Sequence, residues 1–209
     1  MTSWAFYHGW AMDPGCFAPL AEALGGNSWF FDRGYTNAPS LNAPKGGKWN
    51  IITHSMGLWQ VPKPFLESCD LLVVLGGFES FVPTEPRAKR LVSRSLKGLD
   101  QGLLSDPITT LRQFYQLCDV PLSLTPKWDQ LDVALLQEDL SRLSQETWEP
   151  PTTGPKTLLI QGETDQVALP SQGLHLAEKL GSPVKGLPQT GHGCKLDTPE
   201  LLRSLILQA

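Results

Sequence analysis

The sequence predicts an α/β fold: a mostly parallel sheet of about six strands flanked by helices, with a helical cap inserted after the fourth strand. Two patterns point there. Short apolar runs alternate with helical stretches at regular spacing as far as residue 77, and the alternation resumes near residue 156. Between them no strand-like run occurs, only helical periodicity. A chain of 209 residues suits one domain, and a hydrophobic content of 41% suffices for its core. The expected division is therefore a core, 1–77 with 156–209, and an inserted cap, 78–155.

The strand-like runs fall at 3–7, 28–32, 49–54, 70–76, 157–161 and 183–187. Pro62 and Pro64 interrupt the helix that should follow the third run, because proline removes a donor and clashes with the preceding turn; that helix must be short, kinked or restarted. In the cap, Asp106 and Pro107 read as a helix cap and first position. Ile108, Leu111, Tyr115 and Cys118 then recur at helical spacing. Trp128 to Leu143 repeats leucines densely enough for a buried face, and the proline-rich stretch from Glu149 to Pro155 reads as the return linker.

Composition narrows the function classes. The net charge is -4 and no nucleic-acid-binding motif is present, which argues against nucleic acid as a partner. The longest apolar runs, such as Leu71 to Leu75, are strand-sized, and no N-terminal basic-plus-apolar segment occurs, so a cytoplasmic protein without membrane contact is expected. Cys16, Cys69, Cys118 and Cys194 are scattered and form no C-x-x-C pair, which argues against a zinc site or redox motif. Neither metal nor cofactor is expected, and a monomer is.

The chemistry concentrates at Asn50-Ile51-Ile52-Thr53-His54-Ser55-Met56-Gly57, where an apolar run stops at a serine two residues before a glycine. That is the pattern of a nucleophile elbow, a strained strand-to-helix turn that exposes the serine hydroxyl. Thr53 stands where the G-x-S-x-G form has its first glycine. Downstream, Thr157 to Gln161 leads through Gly162 to Asp165, and Val184 to Leu187 leads to Gly191-His192-Gly193. Each places its polar residue in a loop just after a strand-like run. Ser55, Asp165 and His192 are thus candidates for nucleophile, orienting acid and general base. At the other end, Trp4 to Tyr7 reads as a strand followed by His8-Gly9-Trp10, a turn suited to a second oxyanion donor, so the backbone N–H groups of Trp10 and Met56 are assigned to an oxyanion hole. Cys194, two residues after His192, is read as a packing residue.

These segments resemble the α/β-hydrolase superfamily, whose triad order is Ser, Asp, His. Within it the chain resembles the pimeloyl-acyl-carrier-protein methyl ester carboxylesterases of biotin synthesis. The likeness rests on His8-Gly9-Trp10, Asp32-Arg33-Gly34-Tyr35, the elbow, Gly162 to Val167 with Pro170, Gly191-His192 with Pro199 to Leu202, and the cap segment Thr110 to Leu117. Thr53 and Leu58 replace glycines common around the elbow, and two edge strands usual in the superfamily are expected to be missing. The resemblance implies a serine carboxylesterase that frees methanol from a carrier-borne acyl ester.

Two groups of residues fit that expectation. Trp10, Phe78, Phe81, Phe114 and Tyr115, with Trp59, could form an apolar tunnel between core and cap for a medium acyl chain. Arg87, Arg90, Arg94 and Lys97 are spaced to project from one side of a helix, with Ala88, Val92, Leu96 and Leu99 opposite. Counting Lys89 and Arg112, six basic residues stand against Asp100 and Asp106, a local balance of +4. Such a patch steers anionic partners, and an acyl-carrier protein suits it. An ordinary solvated helix face is the simpler account. Two other functions share the same sequence features: a general esterase or thioesterase on small acyl substrates, and a non-catalytic relative that binds without turnover.

Overall fold

The computed structural model describes residues 1–151 and 153–209. It contains one sheet of six strands, β1 (Ser3–Tyr7), β2 (Asn27–Phe30), β3 (Asn50–His54), β4 (Leu71–Leu75), β5 (Lys156–Gly162) and β6 (Val184–Leu187). All neighbouring pairs are parallel, in the order β2-β1-β3-β4-β5-β6. Each expected strand is present, with ends that move by at most two residues. The helices are α1 (Ala18–Leu24), α2 (Gly57–Gln60), α3 (Lys63–Ser68), α4 (Pro86–Ser105), α5 (Pro107–Leu117), α6 (Val133–Gln145), α7 (Pro170–Leu180) and α8 (Pro199–Leu207). Among the described residues no helix is long and apolar enough to cross a membrane.

A parallel sheet must be covered on both faces, so its central strands are buried on both sides. β3 and β4 bury four of their five residues each, whereas the edge strands β2 and β6 carry exposed ones. Successive side chains divide between two cores, as the period of two requires. Phe6, Ile52, Val73 and Ile160 pack with α1 and α8. Tyr7, Ile51, Val74 and Leu159 pack with Leu66 of α3 and Leu176 of α7 on the other face. The prolines act as the sequence requires: the helix after β3 stops at Gln60, Val61 turns out of helical geometry, and a second helix starts at Lys63.

Strand order reverses beside β1. The chain leaves β1 for β2 at one edge, then returns to place β3 on the other flank of β1. Connections diverging in this way leave a crevice beyond the carboxyl ends of the two strands. Residues 8–10 follow β1 and Ser55 follows β3, so both predicted segments reach that crevice.

Between β4 and β5 the chain forms α4, α5 and α6, and no strand among the described residues. Asp106 caps α5 by accepting from the Thr109 amide at 3.0 Å. The dense leucines after Trp128 become helix only from Val133, after Asp132 caps the Leu135 amide. The return linker from Glu149 includes Thr152, which lies outside the described residues.

The inserted helices are tied to the core by a buried acid. Asp139 of α6, wholly buried, accepts from Arg33 Nε at 2.8 Å and Arg33 Nη2 at 3.1 Å, and from Tyr35 Oη at 2.6 Å. Arg142, one turn along, adds a bond at 3.1 Å. A carboxylate removed from water persists only with such pairing. Deleting it would strand the Arg33 guanidinium, so Asp139→Ala should lower the unfolding free energy by about 3–5 kcal/mol, measured by urea denaturation.

Candidate active site

Ser55 ends β3 in the left-handed region, with φ 54°, a geometry that non-glycine residues rarely adopt. Two contacts hold it there. Its amide donates to the Leu75 carbonyl at 2.9 Å, extending the β3–β4 ladder by one residue. Gly57 then lies so close to β1 that a Cβ would come within 2.1 Å of the Tyr7 carbonyl oxygen. Only glycine allows that approach, which turns the chain abruptly into α2. Thr53, in place of the usual first glycine, is accommodated as a buried strand residue whose hydroxyl faces the Val73 carbonyl at 3.4 Å.

The three candidate residues meet. Ser55 Oγ lies 2.9 Å from His192 Nε2, and His192 Nδ1 lies 2.8 Å from Asp165 Oδ2. All three are buried. Asp165 is fixed as an acceptor: the Val167 and Ala168 amides donate to Oδ1 at 2.8 and 2.9 Å, and Gln161 Nε2 donates to Oδ2 at 3.1 Å. Its carboxylate accordingly takes the proton of His192 Nδ1 in a hydrogen bond. That leaves Nε2 with a lone pair directed at the serine hydroxyl. The arrangement can draw a proton from Ser55 and hold the resulting imidazolium.

The amides of Trp10 and Met56 flank the serine, and neither donates to a protein acceptor among the described residues. Trp10 is immobilised by its own side chain, since its indole Nε1 donates to the Leu136 carbonyl of α6 at 2.9 Å. α6 therefore braces the turn that carries this amide. No cluster of three or more His, Cys, Asp or Glu side chains that could hold a metal ion occurs among the described residues.

Three supports carried no signal in the sequence. His54 sits against His192, with ring centroids 4.9 Å apart, and its Nε2 donates to the His192 carbonyl at 2.9 Å. Burial, reinforced by the neighbouring His192, pushes the His54 pKa down to about 3, so its ring is neutral. Gln161, an interior polar residue of β5, reaches Asp165. The third is the end of α5: the Cys118 carbonyl accepts from the Gly193 amide at 2.6 Å. A Cβ on Gly193 would stand 2.8 Å from the Asp119 carbonyl oxygen, which explains the glycine after His192. Cys194 is fully buried behind this loop, and burial raises its thiol to about 12, so it is a packing residue and no nucleophile.

The aromatic residues divide. Trp10, Phe114 and Tyr115 line the cavity over Ser55, which is small, about 10 Å³. Phe78 is fully buried between Trp59 and Phe81 and lines neither this cavity nor the larger cleft bounded by Phe81 and Phe114. Trp59 donates to the Phe78 carbonyl at 3.1 Å. Of the aromatics expected in a tunnel, Phe78 and Trp59 pack against the core and line neither space. Arg87, Arg90, Arg94 and Lys97 are all exposed on α4 and form no ion pair among the described residues, whereas Arg112 on α5 lies over the Trp128 ring at 5.8 Å.

No protein-family model and no curated protein matches the sequence. Solved structures do match over nearly the whole chain. An esterase (EaEST) from Exiguobacterium antarcticum aligns with a TM-score of 0.77 at 17% identity, covering 100% of this chain and 91% of its own. A bromoperoxidase from Bacillus anthracis gives 0.75 at 15%, covering 99% and 91%. A hydrolase, olei00960, from Oleispira antarctica gives 0.74 at 13%, covering 100% and 90%. The chain has the α/β-hydrolase fold.

Two measurements check this geometry. Gly193→Ala should push the His192 loop off the end of α5 and lower kcat by about 10²-fold, the usual result of an ångström-scale misplacement, with substrate affinity little changed; steady-state kinetics reads it. His54 has a folded pKa far below its unfolded value near 6.5, so its contribution to stability is complete above pH 6.5 and is lost as pH falls toward 3. Between pH 6.5 and 5 the loss should be on the order of 2 kcal/mol. Urea titrations of the parent and of His54→Gln should differ in that slope.

Proposed function

We propose that this protein is a serine carboxylesterase that hydrolyses the methyl ester of a pimeloyl group carried by acyl-carrier protein, in biotin synthesis. The observation that carries the esterase reading is the unbroken chain from Asp165 through His192 to the Ser55 hydroxyl, with two unengaged amides beside it. The names of the matched structures, an esterase and a hydrolase among them, agree with it.

Chemistry follows from the geometry. His192 Nε2 takes the proton as Ser55 Oγ attacks the ester carbonyl, and Asp165 stabilises the imidazolium. The Trp10 and Met56 amides receive the oxyanion, each such donor being worth about 3 kcal/mol of barrier. His192 then gives its proton to the departing methoxide, and methanol leaves an acyl-Ser55 ester. Water, deprotonated by His192, attacks that ester; the acid is released and Ser55 regains its proton.

The finer assignment draws on the cap. Trp10 at the oxyanion turn meets Phe114 edge to face at 4.9 Å. The exposed row Arg87, Arg90, Arg94 and Lys97 forms no ion pair among the described residues, and Arg112 adds a further cation on α5. An acidic carrier protein would complement that row and stay outside while its acyl chain enters.

Mass spectrometry of pimeloyl-carrier-protein methyl ester after incubation with the protein tests this reading. The expected result is loss of the mass of one methylene group, abolished in Ser55→Ala with at least about 10⁴-fold loss of turnover. No change in mass while small nitrophenyl esters are still cleaved would replace the biotin assignment with a general esterase. Arg90→Glu combined with Arg94→Glu should slow carrier-borne substrate by about tenfold or more and leave nitrophenyl acetate unaffected.

A further inference from the structure

The cavity above Ser55 holds about 10 Å³, close to the space of a single water. An acyl group needs room elsewhere. A cleft of about 420 Å³ opens between α4 and α5, inside the range of about 300–1,000 Å³ usual for ligand sites. Its walls are Val92, Leu96 and Leu99 of α4, Leu117 of α5, and Phe81 and Val167 from the core side. The polar groups among its lining, Gln113 and Gln166 included, are uncharged.

One residue belongs to both spaces. Phe114 lines the cavity over Ser55 and the cleft alike, so it stands between them. The backbone beneath it is not free to move away, because the last turn of α5 is bonded to the His192 loop through Cys118 and Gly193. A half-buried ring held edge-on to Trp10 can turn about its own side-chain torsions while α5 stays in place.

Two glycines of α4 explain why the cleft exists. At Gly102 a Cβ would fall 2.5 Å from Thr110 Oγ1, so that glycine sets the close approach of α4 to α5. At Gly98, one turn earlier and also lining the cleft, a Cβ would meet nothing within 4 Å. Glycine in a helix interior costs about 0.5–1 kcal/mol relative to alanine, and here no packing contact requires it. Its effect is to leave the cleft open.

We infer that the cleft between α4 and α5 is the acyl-chain subsite of the Ser55 centre, that Phe114 is the gate into it, and that Gly98 determines the length of chain accepted. This rests on the esterase reading. The chemical class is an ester of an uncharged, unbranched, medium-length acyl chain, whose methylenes replace water along the apolar walls. A carbonyl at Ser55 would place the following carbons at the Phe114 ring, and the ring turns aside to admit them.

The experiment is a series of nitrophenyl esters from acetate to octanoate, with Gly98→Leu as the principal variant. Leucine favours helix, so the variant should fold, which circular dichroism checks. The expected result is a fall of about tenfold or more in kcat/KM for octanoate, acetate remaining within about twofold. Phe114→Ala should weaken the discrimination between long and short chains. Octanoate and acetate falling together, or neither changing, overturns the subsite. A parallel measurement needs no turnover: binding of methyl octanoate to Ser55→Ala protein, followed by ligand-observed NMR, should be lost when Gly98→Leu is added. Binding that persists refutes the subsite whatever the activity. Failure of Ser55 to react with a fluorophosphonate, with methyl octanoate still bound in a Gly98-dependent way, would overturn the esterase reading and leave the apolar site standing.

Discussion

Ser55 is held in a backbone conformation that costs on the order of 1–3 kcal/mol, and much of the molecule is arranged so that this conformation has no alternative. The ladder between β3 and β4 continues one residue beyond the strand to grip its amide. Gly57 presses against the end of β1, where any side chain would collide with the Tyr7 carbonyl. The reversal of strand order beside β1 brings these two strands together and opens the crevice into which the hydroxyl projects. A serine in the same pattern without those neighbours would relax into ordinary turn geometry.

The inserted helices share that constraint. α6 is bolted to the core through Asp139, Arg33 and Tyr35, and its Leu136 carbonyl takes the Trp10 indole. α5 is joined at its end to the loop of His192, and Tyr115 donates to the Ala11 carbonyl next to Trp10. Both flanks of the serine, the amide of Trp10 and the imidazole of His192, therefore take their positions partly from α5 and α6. α4 is held differently: it buries only Leu96 and Leu103 and packs on its two sister helices. It also carries the basic row.

Charge is distributed to match. Around Ser55 the buried groups are neutral or paired: His54 is kept uncharged by burial, the Cys194 thiol stays protonated, and Asp165 is surrounded by donors. Little stray charge remains near the reacting atoms, so the oxyanion donors would act in a low-dielectric site where they count most. The unpaired cations lie exposed on α4, where water screens them from the site.

Much of this was written in the amino-acid order. The sheet was legible because strands buried on both faces carry short apolar runs, Ile51-Ile52 in β3, Leu71 to Leu75 in β4 and Leu158 to Ile160 in β5. The break at Val61 was legible because proline acts locally. Ser55, Asp165 and His192 could be found because each follows such a run, and glycines mark the loops that carry them. Whether the three side chains meet depends on strand order, which no local pattern encodes. His54, Gln161 and the Cys118 carbonyl escaped notice because their importance lies in contacts between distant segments. Phe78 and Phe114 look alike as residues, yet one fills the core and the other divides two cavities. Sequence states that a side chain is apolar, and only the tertiary structure decides which apolar surface it meets.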